Sequence, residues 1–347
     1  MRVAIVTVQV PFVRGGAEVL AETLRDELRK RHHEAEIVTI PFAWYPWTSL
    51  IKSMHMGRMM DLSYIEGRPV DKVIALKFPA YYVNHNKKVY WLLHQHRQAY
   101  DLWGTPYSDI EQWGNGEKIR EFIRTCDKKY IGDGKKVYTI ARNVSKRLKK
   151  YCQIDSTPLY HPPQNYEVLH ADSYGDYVFY PSRINVLKRQ GLLVRAASYL
   201  KTQAKIVISG NGPDSEVQAL KKQIEDVDVK DRVKFTGFIS NQEKIDYYRN
   251  CLAVYYGTYD EDYGYITLEG LFSEKPVIVH TDAGGPLDFI NDGENGFVVD
   301  PEPQEIARKI DYLYTHRKET EKMGKNGRQS LVDKNVNWDY VIDRLLN

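Results

Sequence analysis

Twice along the 347 residues, short β-branched runs alternate with amphipathic stretches, and this alternation restricts the fold more than any other feature. Arg2–Val8 reads as a buried parallel strand, followed by a helix over Gly16–Lys30 with Val19, Leu20, Leu24 and Leu28 on one face. Further strands are expected at Glu36–Ile40, Lys72–Leu76, Val89–Leu93 and Val137–Ala141, and a helix at Asn143–Tyr151. Thr157–Pro163, with three prolines, suits a linker. A second series then begins. Its strands are Tyr177–Tyr180, Lys205–Ser209, Val233–Thr236, Ala253–Tyr256, Pro276–His280 and Phe297–Val299. Helices fit at Leu187–Leu200, Glu216–Ile224, Gln242–Asn250 and Gly264–Ser273, then at Gln304–Thr315 and Trp338–Leu346. Strand–helix alternation of this kind builds a mostly parallel sheet covered on both faces. The fold class is therefore α/β, as two doubly wound, Rossmann-like domains over 1–163 and 164–334. A terminal helix (335–347) is expected to pack back towards the first. Such a pair places ligands at the carboxyl ends of its strands.

The composition, 42% hydrophobic and 27% charged, is that of an ordinary globular chain. No apolar run approaches the roughly 20 residues that cross a bilayer, and Met1–Val10 lacks the cleavage site of a signal peptide. Cys126, Cys152 and Cys251 are odd in number and scattered, which argues for a reduced, cytoplasmic protein. The net charge of +3 is uneven, with an excess of Lys and Arg between Lys118 and Lys150. This stretch reads equally as a solvated helical face or as a surface for anionic lipid or phosphate. No nucleic-acid-binding pattern accompanies it. Trp44, Tyr45, Trp47, Met54, Met56, Met59 and Met60 crowd a region without clear periodicity. They form either core or a segment touching acceptor or lipid, which would place the protein at the inner face of a membrane.

The most informative segment is Tyr259-Asp-Glu-Asp-Tyr-Gly-Tyr-Ile-Thr-Leu-Glu269, which follows a strand and opens a helix at Gly264. A helix N-terminus offers free N–H groups and positive partial charge, as a diphosphate requires. Gly264 permits close approach of the backbone. Glu269 lies about 7.5 Å along the helix from Gly264, so the carboxylates of Glu261 and Glu269 could serve the two ends of a nucleotide sugar.

Glu261 and Glu269 resemble the E-x7-E signature of family 4 glycosyltransferases of the GT-B fold. Lys275-Pro-Val-Ile278, Gly284-Gly285 and Asn295-Gly-Phe-Val-Val299 resemble its surroundings. The resemblance runs from Gly15-Gly16 to Trp338-Asp339. It implies that Glu261 contacts the transferred sugar and Glu269 the ribose, while Gly264, Tyr265, Ile266 and the Thr267 hydroxyl hold the diphosphate. Arg183 and Lys188 resemble the Arg and Lys that neutralise the leaving diphosphate in this family; Arg189 is not assigned that role. Gly210-Asn-Gly212 reads as a tight turn near the nucleotide, and Phe238-Ile239 as part of the loop beside the base. Gly15 and Gly16 form a further anion or sugar site on the acceptor side. His94 stands where the family carries a His facing the transferred sugar, with His96 in reserve. The two domains are then expected to face each other across a cleft.

The implied reaction retains anomeric configuration through an oxocarbenium-like transition state. The donor is a nucleotide-diphosphate sugar, UDP preferred over GDP, and the acceptor a glycan or lipid-linked sugar, in cell-surface polysaccharide synthesis. No cofactor is expected. Asp260-Glu-Asp262 looks like a metal-binding D-x-D but overlaps E-x7-E, so no metal is expected. A nicotinamide dehydrogenase would need G-x-G-x-x-G, yet residue 215 is Ser. A sugar-nucleotide epimerase, a phosphorylase and a silent nucleotide-sugar-binding protein remain as alternatives.

Overall fold

The structure is a computed structural model, which describes residues 1–12, 15–105, 107–131 and 136–347. The strands are β1 (Arg2–Gln9), β2 (Glu34–Pro41), β3 (Tyr64–Ile65), β4 (Arg68–Pro69), β5 (Lys72–Ala75), β6 (Lys88–Leu92), β7 (Val137–Thr139) and β8 (Thr157–Pro158). They continue with β9 (Tyr177–Pro181), β10 (Lys205–Ser209), β11 (Val233–Phe235), β12 (Ala253–Tyr256), β13 (Val277–His280) and β14 (Gly296–Val299). The helices are α1 (Gly16–Lys30), α2 (Trp47–Met59), α3 (Gly116–Ile131), α4 (Arg142–Cys152), α5 (Gln190–Ala197) and α6 (Asp214–Asp226). Those of the second half continue with α7 (Asn241–Asn250), α8 (Tyr265–Phe272), α9 (Pro303–Thr315), α10 (Arg317–Asp333) and α11 (Trp338–Leu346). The chain divides into a unit of Met1–His161 with Asn337–Asn347 and a unit of Pro162–Val336. These boundaries lie two residues from those read in the sequence.

The first unit holds a six-stranded parallel sheet in the order β2-β1-β5-β6-β7-β8. Its centre is apolar because β1, β5 and β6 are covered on both faces: Ile5, Val6, Ile74, Tyr90 and Trp91 are all buried. Helix α1 lays Leu20, Leu24 and Leu28 on the sheet. Each such leucine contributes about 2 kcal/mol by leaving water. Helix α11 closes this unit. Asn337 caps it, accepting from the Tyr340 amide at 2.8 Å, and buried Trp338 sits edge-on to Trp91.

The second unit holds another six-stranded parallel sheet, ordered β11-β10-β9-β12-β13-β14. In both sheets the first strand lies inside, so the chain winds one way, returns and winds the other. The reversal falls between β1 and β5 in the first unit, and between β9 and β12 in the second. Loops at such a reversal splay apart and leave a crevice beyond the carboxyl ends.

Several expectations need correction. Thr157 and Pro158 are not linker but edge strand β8, where the missing N–H of proline goes unneeded. The helix expected over Leu187–Leu200 begins only at Gln190, because Arg189 adopts φ +52° and separates it from a short 3-10 turn at Val186–Lys188. Helices α2, α3 and α10 were not foreseen. In α10 the buried face carries Gly324 and Gly327. A Cβ on Gly324 would stand 1.8 Å from the Glu274 carbonyl oxygen, so small residues replace the apolar stripe there.

Candidate active site

At the carboxyl edge of the second sheet, the loops after β9, β10 and β11 are laced through their backbones. Ser182 and Ile184 donate to the carbonyls of Ser209 and Asn211, both at 2.9 Å, and Gly210 donates to Gly237 at 2.8 Å. The approach is too close for side chains. A Cβ on Gly210 would lie 1.9 Å from the Ser182 oxygen, and one on Gly212 2.1 Å from that of Ile184. Gly210 and Gly212 thus seat the β10 loop against the loop that carries Arg183 and Lys188.

The β9 loop in turn grips the β12 loop. The Tyr259 amide donates to Leu187 at 2.9 Å, and Tyr180 Oη donates to the Lys188 carbonyl at 2.5 Å. Across this junction Lys188 Nζ donates to Glu261 Oε2, which also accepts from Tyr256 Oη at 3.0 Å. Lys188 Nζ lies 3.0 Å from Tyr256 Oη and over the Tyr256 ring. Burial, with Glu261 beside it, pushes the Tyr256 phenol well above its ordinary pKa, so it stays a donor. Lys188 and Glu261 remain partly accessible, their side chains 17% and 27% exposed. Glu261 itself is fixed from behind: its amide donates to Ala283 and its carbonyl accepts from Gly285.

Three residues past Glu261, Gly264 caps α8 at φ +88°, and a Cβ there would stand 2.7 Å from Pro286 Cγ. Tyr265 and Ile266 are partly exposed at this N-terminus. Thr267 is fully buried, and its hydroxyl has no hydrogen-bond partner among the described residues. Just past the middle of the helix, Glu269 Oε1 accepts from Lys244 Nζ and Oε2 from Tyr248 Oη, both at 2.6 Å. Burial and the neighbouring Glu269 hold the Tyr248 phenol well above its usual range. Glu269 lines a small recess with Gln164, Asn165 and Asn241.

The structure thus brings Glu261 and Lys188 into contact, with Gly264 at the N-terminus of α8 and Glu269 just past its middle. Arg183 is exposed on the Lys188 loop and pairs with no carboxylate among the described residues. Arg189 turns away into a two-pronged pair with Asp282 at 2.8 and 2.9 Å. Phe238 is 76% exposed on the β11 loop, with Ile239 partly buried beside it. Tyr256, Lys244 and Tyr248 escaped the sequence reading. Lys244 and Tyr248 sit one turn apart on an expected helix, a spacing that could have flagged them.

Gly15, Gly16 and His94 belong to the first unit. Gly15 caps α1, and its amide donates to Glu18 at 2.8 Å, so this chain's own carboxylate already stands at that helix end. His94, partly exposed after β6, has Nδ1 2.6 Å from the Gln95 carbonyl. His96 stacks on Phe78 at 5.0 Å; burial pushes its pKa down to about 3 and keeps it neutral. Among the described residues, no group of three or more His, Cys, Asp or Glu is placed to hold a metal. No helix of the described residues is long and apolar enough to cross a membrane.

Comparison with known structures assigns the fold. The chain resembles a sucrose-phosphate synthase of Thermosynechococcus elongatus, with TM-score 0.77, 16% identity and coverage of 99% and 97% of the two chains. It also resembles Anabaena HepE in complex with UDP and glucose, with TM-score 0.70, 17% identity and coverage of 99% and 98%. The fold is that of the GT-B glycosyltransferases. Residues 166–330, most of the second unit, match the family described as "Glycosyl transferases group 1". Over 118 residues the chain is 31% identical to the alpha-1,3/1,6-mannosyltransferase ALG2 of Dictyostelium discoideum. That match takes in 34% of this chain and only 28% of the relative's length.

Proposed function

We propose that the protein is a retaining glycosyltransferase of family 4 type that transfers a hexose from a nucleotide-diphosphate sugar, without a metal, to a glycan or lipid-linked acceptor. The observation that carries this reading is the contact of Lys188 with Glu261 beside the Gly264-headed helix, at the reversal point of the second sheet. Breaking a glycosidic bond to a diphosphate puts growing negative charge on the leaving group. Lys188, exposed Arg183 and the amides of Tyr265 and Ile266 stand where they could receive it. Glu261 would hold the sugar hydroxyls and Glu269 those of the ribose, while Phe238 and Ile239 flank the base. His94 and the turn at Gly15 and Gly16 would serve the sugar and acceptor from the first unit. UDP is favoured over GDP because HepE was captured with UDP and glucose. The setting we favour is cell-surface polysaccharide synthesis, at the cytoplasmic side of a membrane. Exposed Trp44, Tyr45, Trp47 and Met59, with Lys52 on α2 and Lys118 on α3, support contact with an anionic leaflet.

The test is turnover of UDP-glucose and GDP-mannose in EDTA, with water or a simple alkyl glucoside as acceptor. Nucleotide release and an α-configured product from an α-donor are expected. An inverted product would overturn retention, and tight binding without turnover would leave a silent nucleotide-sugar-binding protein.

A further inference from the structure

Asp127, on α3 of the first unit, is completely buried, and no Lys or Arg pairs with it among the described residues. Its two oxygens are divided between two loops. Oδ1 accepts from Tyr81 Oη at 2.9 Å and Tyr82 Oη at 2.5 Å, both from the segment after β5. Oδ2 accepts from Gln95 Nε2 at 3.1 Å and Tyr100 Oη at 2.8 Å, both from the segment after β6. Gln95 Nε2 also reaches Cys152 Sγ of α4, at 3.2 Å. His94, Gln95, His96 and Arg97 therefore sit on a short turn that is tethered at Gln95 and again at Tyr100. The stacking of His96 on Phe78 joins the same two loops from the other side.

A buried carboxylate without a cation is a costly way to stabilise a core, since apolar residues of equal volume serve better. What it supplies is geometry. Four donors converge on one group, and moving either loop would strand a buried hydroxyl or amide. We infer that Asp127 is a positioning residue: it holds the turn that carries His94 at the carboxyl end of the first sheet by anchoring Gln95 and Tyr100 from beneath. The kinetic part of this inference rests on the transferase reading; the structural part does not.

The experiment compares the full-length wild type with Asp127→Ala, Asp127→Asn and Gln95→Leu. UDP-glucose hydrolysis serves as the kinetic probe and the ring resonances of His94 as the structural one. Asp127→Ala and Gln95→Leu are expected to lower kcat on the order of tenfold, because small displacements of a contacting group are felt strongly. The KM for UDP-glucose should stay within about twofold. The His94 resonance should shift in both. Asp127→Asn, which keeps the shape and one of the two acceptor oxygens, should restore part of the rate and move the His94 resonance less than Asp127→Ala does. Should Asp127→Ala fail to fold, Gln95→Leu carries the test alone. A folded Gln95→Leu whose kcat and His94 resonance both match the wild type would overturn the inference and leave Asp127 a purely structural group. Wild-type protein without turnover would contradict the transferase reading instead, and the resonance would still decide the role of Asp127.

Discussion

In the second unit, the loops at the sheet reversal meet each other through charge: Lys188 on one, Glu261 on the other, both partly open to solvent. In the first unit, the loops after β5 and β6 meet through a buried carboxylate and a cluster of aromatic rings that includes His96, stacked on Phe78. The two sheets have the same winding, with the entry strand inside and the reversal beside it. The two pairs of loops differ both in place, at the reversal in the second unit and one strand beyond it in the first, and in what they carry. Charged groups in place before any ligand arrives suit a diphosphate, whose own charge replaces their hydration. A turn anchored from beneath suits hydroxyl-rich groups, which need direction more than charge.

The sharpest way to break this comparison is to remove the charge pair. Glu261→Gln and Lys188→Ala should each lower turnover about 10²–10³-fold while the melting temperature moves little, measured by nucleotide release and calorimetric melting. An equal loss of stability would make the pair structural. Next in size is Gly210→Ala, which adds a Cβ 1.9 Å from the Ser182 oxygen at φ +141°. It should cost about 2–3 kcal/mol in urea unfolding, because both contacting groups are backbone.

Acid sharpens the comparison from the first unit. His161 is buried against Trp91 and Trp338, and burial pushes its pKa down to about 3. The unfolded chain takes up that proton near pH 6.5, so this stability is complete above 6.5 and is lost as pH falls towards 3. His96 adds the same dependence in the same unit, whereas the second unit has His280, at about 4. Asp127, with its pKa raised by burial, works in the opposite direction. In His161→Phe, the loss of unfolding free energy between pH 6.5 and 5 should be smaller by about 2 kcal/mol than in the wild type. The smallest effect is expected at Glu269→Gln, which should weaken nucleotide-diphosphate binding about tenfold in titration calorimetry.

How far the sequence carried these features depended on whether the signal was local. β1, β6, β10 and β12 are buried on both faces, so their apolar runs stand out. Helix α3 was missed because its buried stripe, Ile119, Ile123, Asp127 and Ile131, contains a carboxylate where the period asks for an apolar residue. Helix α2 was missed because apolar residues face both ways, Leu50 and Met54 inward, Trp47 and Met59 outward. In the site, Glu261, Gly264 and Glu269 lie on one short stretch and could be read together. Lys188 was read as well, but the contacts were not, since Lys188 reaches Glu261 across 73 positions and Lys244 reaches Glu269 across 25. Only folding reveals such pairs.

The carboxyl-edge loops of the second unit are proposed to hold a nucleotide diphosphate. Titration calorimetry with UDP, GDP, ADP and TDP, on the wild type and on the Arg183→Ala/Lys188→Ala double variant, tests it most directly. One diphosphate should bind the wild type, and the double variant should lose it while remaining folded. A chain that binds none of the four, or binds one equally well in both forms, would contradict it.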